Sequence, residues 1–291
     1  MRPLVRTSVG RMGLICVLAC ASTTALAAEE VFSRAFTVTP GGLLTVNASA
    51  ADVIVSGGES TQVVVRMTVK DSSDKSVASR LSASQSAAGV TVEMQRDDWF
   101  GGLFSWWGAW DTDARIEIVV PRRYRVEMKT SGGDMQVSHL DGNATGKTSG
   151  GDVNLEDVTG EVSIRTSGGD VVATAVRGDI EASTSGGDIR LLRVDGKIRA
   201  KTSGGDVQCE LIGANRGVSV VTSGGDIHLT MAQGNKATLD AATSGGDIVA
   251  DFPVTSDDSS GKRRLSGPIN GGGEAIYART SGGDITLRAA P

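Results

Sequence analysis

The 291-residue sequence predicts an all-β protein, a parallel β-solenoid (β-helix) of about 18 residues per coil. Three observations carry that expectation. The pentapeptide TSGGD begins at Thr130, Thr148, Thr166, Thr184, Thr202, Thr222, Thr243 and Thr280, with spacings of 18, 18, 18, 18, 20, 21 and 37 residues. Apolar residues stand in fixed columns beside every copy. Glycine supplies 39 residues, about 13% and roughly twice its usual share. With 39% hydrophobic residues the chain is not disordered, and 6 prolines exclude collagen or a Pro-rich linker.

Each repeat unit follows from its columns. One residue past each Asp stand Met135, Val153, Val171, Ile189, Val207, Ile227, Ile248 and Ile285; three past stand Val137, Leu155, Ala173, Leu191, Cys209, Leu229, Ala250 and Leu287. The residues between them are mostly polar, so this is a strand with one buried face. A second apolar pair, such as Val162 with Ile164 or Ile198 with Ala200, makes another strand before the next TSGGD. Gly142, Gly160, Gly178 and Gly196 mark the turn between the two strands. Eighteen residues are too few for a βαβ unit, and no segment has a 3.6-residue period. The unit is therefore strand, glycine turn, strand, SGG turn, each strand stacking in parallel on its equivalent one coil later. The crossover rule makes the solenoid right-handed. At about 4.8 Å per stacked strand the regular coils extend roughly 40 Å.

The rest of the chain divides around this array. Residues 1–27 read as a secretory signal: Arg2, Arg6 and Arg11, an apolar run over 12–21, and an Ala-Leu-Ala cleavage site at 25–27. Lipidation at Cys20 is the competing reading. Cleavage leaves 26 basic against 34 acidic residues, a net charge of −8, and one cysteine, Cys209, so no internal disulfide. The protein is expected beyond the cytoplasm, in the periplasm or at the cell surface, and the acidic balance gives no reason to expect nucleic acid. Residues 28–129 read as irregular coils of the same solenoid, with Asp52 inside a degenerate unit (ADVIVSGG, 51–58). Residues 71–88 read as a polar loop, and 256–273 as a mobile insertion in the regular array of 130–291.

The run ARIEIVVP at 114–121, the TSGGD[IV]xL units and Gly271-Gly272-Gly273 before the last repeat together resemble the bacterial putative-adhesin family. The resemblance spans nearly all of the chain beyond the signal. It implies an exported or envelope-associated protein of β-strand repeats, and it implies no catalytic residue and no cofactor.

Candidate sites are few. The Asp column (Asp134, Asp152, Asp170, Asp188, Asp206, Asp226, Asp247 and Asp284) is either a calcium ladder or a structural turn column accepting backbone N–H groups, and the structural reading is preferred. Stacked about 5 Å apart, neighbouring carboxylates repel by roughly 1 kcal/mol in water. Lys129, Lys147, Arg165, Lys201 and Arg279 are expected across the turn, offsetting that repulsion. The paired glycines call for positive φ or a tight corner. The segment GNATGKT at 142–148 is one residue short of a phosphate-binding loop and leads into a strand, so it is rejected. Threonine shares the parity of the buried column, which argues against an outward ice-binding face. Cys209 is read as core, and His139 and His228 as surface residues.

The exception is WFGGLFSWWGAW at 99–110, which holds all four tryptophans: Trp99, Trp106, Trp107 and Trp110, with Phe100 and Phe104. It is either a contact patch for an envelope protein, a polysaccharide or a membrane surface, or a flap closing the solenoid. The resulting expectation is a non-catalytic, adhesin-like interaction scaffold at the cell envelope. The alternatives are a carbohydrate-binding or polysaccharide-cleaving β-helix and a protein docking on a membrane interface. The eight equivalent Asp residues lack the asymmetric carboxyl pair that glycosidase chemistry needs.

Overall fold

A computed structural model of the chain describes residues 29–69, 81–94, 114–254 and 263–290. The proposed signal, Cys20, the aromatic run 99–110 and most of the loop at 71–88 lie outside the described residues, as do residues 255–262 of the insertion.

The described residues form strands and no helix. Ahead of the regular repeats come β1 (Glu29–Thr37), β2 (Leu43–Asn47), β3 (Asp52–Gly58), β4 (Gln62–Val69), β5 (Leu81–Ser86), β6 (Gly89–Met94), β7 (Ala114–Pro121) and β8 (Arg125–Lys129). The regular array contributes β9 (Met135–Asp141), β10 (Ala144–Lys147), β11 (Val153–Thr159), β12 (Val162–Arg165), β13 (Val171–Arg177), β14 (Ile180–Ser183), β15 (Ile189–Asp195), β16 (Ile198–Lys201), β17 (Val207–Leu211) and β18 (Val218–Val221). The C-terminal part adds β19 (Ile227–Ala232), β20 (Ala237–Ala242), β21 (Ile248–Ala250), β22 (Arg264–Ile269), β23 (Ala275–Arg279) and β24 (Ile285–Ala290).

These strands make two twelve-stranded sheets, parallel through the middle. The first runs β1-β4-β7-β3-β9-β11-β13-β15-β17-β19-β24-β21, the second β22-β20-β23-β18-β16-β14-β12-β10-β8-β2-β6-β5. A second-sheet strand, a corner and the following first-sheet strand make one rung. Within the regular array the register is like on like: Val153 pairs with Val171 and Leu155 with Ala173, while Val162 pairs with Ile180 in the other sheet. The inward columns of both sheets join in one continuous apolar cluster. Its fit across the sheets is close: a Cβ on Gly146 would stand 3.3 Å from Met135 Sδ and 2.9 Å from Ile164 Cδ1.

Four features depart from the sequence reading. First, the flanks are antiparallel: β1 pairs with β4, β4 with β7, β5 with β6 and β20 with β22. Of these, only β5–β6 is a local hairpin; the other three pairs join strands with one or more strands between them in sequence, and all four lay an antiparallel strand along an end of a sheet, covering its edge. For the same reason, residues 264–269 of the expected insertion are β22, aligned along β20.

Second, the rungs do not stack in sequence order. Rung β2–β3 lies between rungs β6–β7 and β8–β9, and rung β23–β24 lies between β18–β19 and β20–β21. The terminal rungs are thus wedged one place inward. This explains the 37-residue spacing of the last repeat: the chain builds β20 to β22 beyond the slot and then returns to fill it.

Third, the longer strand of each regular rung bends. His139, Asp157, Ala175 and Arg193, all non-glycine and one rung apart, have φ of 51–59°. The bend reverses the alternation, so that Leu140 points inward three residues after Val137. β17 has one residue fewer here, and Val194 pairs with Leu211 across the shift.

Fourth, the TSGGD glycines are not among the residues of positive φ; in the opposite turn Gly160 and Gly178 are. The second TSGGD glycine is required by close stacking instead. A Cβ on Gly169 would stand 2.1 Å from Gly151 O, whereas one on Gly168 meets nothing nearer than 3.7 Å.

Candidate functional site

The SGG corners align the Asp column. In each rung the Thr that opens TSGGD is buried, because it shares the parity of the inward residues. The Thr166 hydroxyl donates to Gly151 O of the preceding rung (3.1 Å) and accepts from Gly169 N–H (3.3 Å), closing its own corner. The same pair of bonds recurs at Thr148, Thr184, Thr202, Thr222, Thr243 and Thr280. Thr130 is the exception: its buried hydroxyl has no hydrogen-bond partner, and the neighbouring corner reads Ala-Ser-Ala-Ala in place of TSGG.

The corner thereby points each Asp along the stack. Asp152 N–H donates to Asp134 Oδ1, Asp170 N–H to Asp152 Oδ1 and Asp188 N–H to Asp170 Oδ1, each at 2.8 Å. Asp206 and Asp226 continue the series at 2.9 and 2.8 Å. Asp52 heads it, accepting from Asp134 N–H at 3.0 Å. At the far end the order inverts: Asp284 N–H donates to Asp226 and Asp247 N–H to Asp284, both at 2.8 Å. The column's carboxylates accept backbone N–H groups, those of the neighbouring rung's Asp rather than those of the corner's own glycines. These charge-assisted bonds offset the repulsion between stacked carboxylates.

The basic residues expected opposite the column stand elsewhere. Lys129, Lys147, Arg165, Lys201 and Arg279 occupy the outward face of the second sheet, where Arg165 pairs with Glu181 and Arg279 with Asp240. Among the described residues, Arg190 stands on the ladder, 3.0 Å from Asp188.

Beside the ladder runs a groove of about 330 Å³, lined by Asp52, Asp134, Asp152 and Asp170, by the amides of Gln136 and Asn154, and by Arg115. Arg115 is the second residue of β7, just after the stretch that carries the aromatic run. In ordinary rungs a TSGGD corner joins the two strands; β6 and β7 are separated in sequence by residues 95–113. The described fold resumes at Ala114, next to Arg115 of the groove. Trp99, Phe100, Phe104, Trp106, Trp107 and Trp110 themselves lie outside the described residues.

A second polar cluster, which the sequence did not disclose, sits at the bend column. Arg122 reaches Asp141 (3.2 Å) and Asp157 (3.0 Å); Asp157 also meets His139 Nδ1 (3.3 Å) and Arg177 (3.2 Å). The hydrogen bond with His139, aided by Arg177 and Arg122, holds the Asp157 carboxyl below the usual range. Asp141, with Asp157 beside it, raises the Arg122 guanidinium. Only the 18-residue recurrence of 139, 157, 175 and 193 hints at this cluster. Arg122 belongs to the irregular part and joins it through the wedged topology.

Cys209 is buried, and burial pushes its thiol up to about 12, so it stays protonated. His228 is exposed on the first sheet. Among the described residues no group of three or more His, Cys, Asp or Glu side chains is placed to hold a metal ion.

Together these features define a class: an all-β repeat protein of long parallel sheets, internally bonded along threonine and aspartate ladders. Residues 43–288 match the model of the Toastrack DUF4097 family, and the chain belongs to it. No curated protein matches the sequence. Among solved structures, it is similar to a putative adhesin from Bacteroides fragilis NCTC 9343 at 12% identity, covering 88% of this chain and 96% of that one with a TM-score of 0.53. A putative adhesin from Parabacteroides distasonis ATCC 8503 matches at 15% identity over the same shares, with a TM-score of 0.44. A putative lipid binding protein from the same strain matches at 13% identity and 0.44, again over 88% and 96% of the two chains. At these identities the first of the three speaks for the fold alone.

Proposed function

We propose that the protein is an exported, non-catalytic interaction scaffold at the cell envelope: a right-handed solenoid, about 18 residues per coil, that holds a partner-binding segment on a rigid body. The single observation that supports this is where the described fold resumes after the aromatic run: Arg115, the second residue of β7, lines a polar groove beside the aspartate ladder, and residues 95–113 lead into it along the chain. Four tryptophans concentrated there suit a contact anchor, because large aromatic side chains supply much of the free energy of most interfaces. The adhesin names carried by similar folds agree with this role, and the sequence features of residues 1–27 agree with export.

The test is a crosslinking pull-down from intact envelopes with Trp106→Ser/Trp107→Ser. Loss of the captured partner, with the melting temperature unchanged, is the expected result. Undiminished capture overturns the anchor. Recovery on liposomes rather than on envelope protein or polysaccharide assigns the anchor to the membrane interface instead.

A further inference from the structure

The rung written last in the chain, β23–β24, fills a slot whose two walls match each other. Asp284 N–H donates to Asp226 Oδ1 and Thr280 Oγ1 to Gly225 O on one side; Asp247 N–H donates to Asp284 Oδ1 and Thr243 Oγ1 to Gly283 O on the other, all at 2.8–2.9 Å. These are the bonds that consecutive rungs make throughout the stack. The inward columns match as well: Val218, Ile276 and Leu239 are in register, as are Val220, Ala278 and Ala241.

If the wedge leaves, Asp247 N–H faces Asp226 Oδ1 and the Thr243 hydroxyl faces Gly225 O. The slot closes by one rung: β20 replaces β23 along β18, and β21 re-pairs three of the six β19 residues that β24 held, leaving Thr230–Ala232 to solvent. That lowers the usual penalty for opening a sheet, the unsatisfied edge.

The two ends of the molecule differ in how the wedge is held. At the N-terminal end the chain crosses rung β2–β3 through Arg122, which is tied to Asp141 and Asp157. A Cβ on Gly57 there would stand 1.9 Å from His139 O. At the C-terminal end the crossing is Asn270-Gly271-Gly272, all at positive φ, held by hydrogen bonds that Asn270 Nδ2 donates to Gln233 O and Asn235 O at 2.8 Å. The ionic tie specific to the C-terminal wedge is Arg279 on Asp240, 2.6 Å to the carboxylate and 2.7 Å to the backbone carbonyl. Partly exposed pairs of this kind contribute little.

We propose that the C-terminal rung, residues 275–290, is an exchangeable wedge whose partner is a second copy of this chain. Released from its own slot, it enters the equivalent slot of another molecule, and copies join by reciprocal rung exchange. The wedge makes the same bonds in either molecule, so protein concentration sets the balance.

The test mixes two single variants, Ser219→Cys and Tyr277→Cys, at register-paired outward positions on β18 and β23. After incubation and mild oxidation, the expected product is an interchain 219–277 disulfide. It should exceed the statistical share relative to 219–219 and 277–277 bonds and rise with protein concentration. In the double variant the intrachain bond forms, locks the wedge and abolishes exchange. The pair Val221→Cys with Arg279→Cys repeats the measurement without the Asp240 tie and is expected to exchange several-fold faster. Statistical or absent interchain bonding in both pairs, while both double variants form the intrachain bond, overturns the proposal.

Discussion

Asp170 shows what one ladder residue does. Its N–H donates to Asp152 and its Oδ1 accepts from Asp188, so its side chain and backbone link three rungs. Removing the acceptor strands a half-buried N–H, at a cost of about 1–3 kcal/mol. Asp170→Ala should therefore lower Tm by several degrees. Asp170→Asn keeps the acceptor and removes one charge from a like-charged column, so it should melt at or above the unsubstituted protein. Thermal unfolding followed by circular dichroism checks both, and equal losses for the two would show that charge rather than the acceptor matters. Spacing alone disclosed this column, because a residue after each SGG must align when rungs stack in register. Which N–H it meets was not legible, since that depends on side-chain direction at the corner.

At the scale of the element, the crossing over rung β2–β3 is the feature held by charge. Arg122 N–H donates to Gly58 O and its carbonyl accepts from Asp141 N–H, while its side chain grips Asp141 and Asp157. The Asp157 carboxyl is depressed, so its contribution is complete above the ordinary carboxylate value of about 3.9 and is lost as pH falls through the lower folded value. Asp157→Asn should melt below the unsubstituted protein at neutral pH, and the gap should close toward pH 2. Thermal melts across that range decide it; a gap constant with pH would mean the role is steric. Arg122 carries no repeat signature and is far in sequence from Asp157. The strand bend at His139, Asp157, Ala175 and Arg193 was equally hidden, because four different residue types adopt it where glycine would have announced it.

For the whole molecule, stability comes from one continuous apolar core between two sheets, without the help of an internal disulfide among the described residues. Cys209 sits in that core, one residue from the outward Gln208 that pairs with His228 across the stack. Its thiol, raised to about 12 by burial, should resist alkylation at pH 8 in the folded protein. Peptide-mapped labelling of Cys209 across a urea series is expected to rise only with the loss of circular dichroism. Labelling that precedes that loss would show a local opening at β17. Because each rung contacts only its neighbours, partial openings elsewhere leave Cys209 protected.

The TSGGD spacing and the two apolar columns by themselves determined the all-β architecture, the parallel register and most of the core residues within those columns. A rung that must repeat its contacts with the next has to repeat its residues, and that repetition is visible in one dimension. The order of the rungs was decided only in three dimensions. Asp247 and Asp284 carry the same motif and fit either place, and local pairing chemistry does not distinguish them. What places β23–β24 inside β20–β21 is the antiparallel return of β22 along β20, which sends the chain back across the stack.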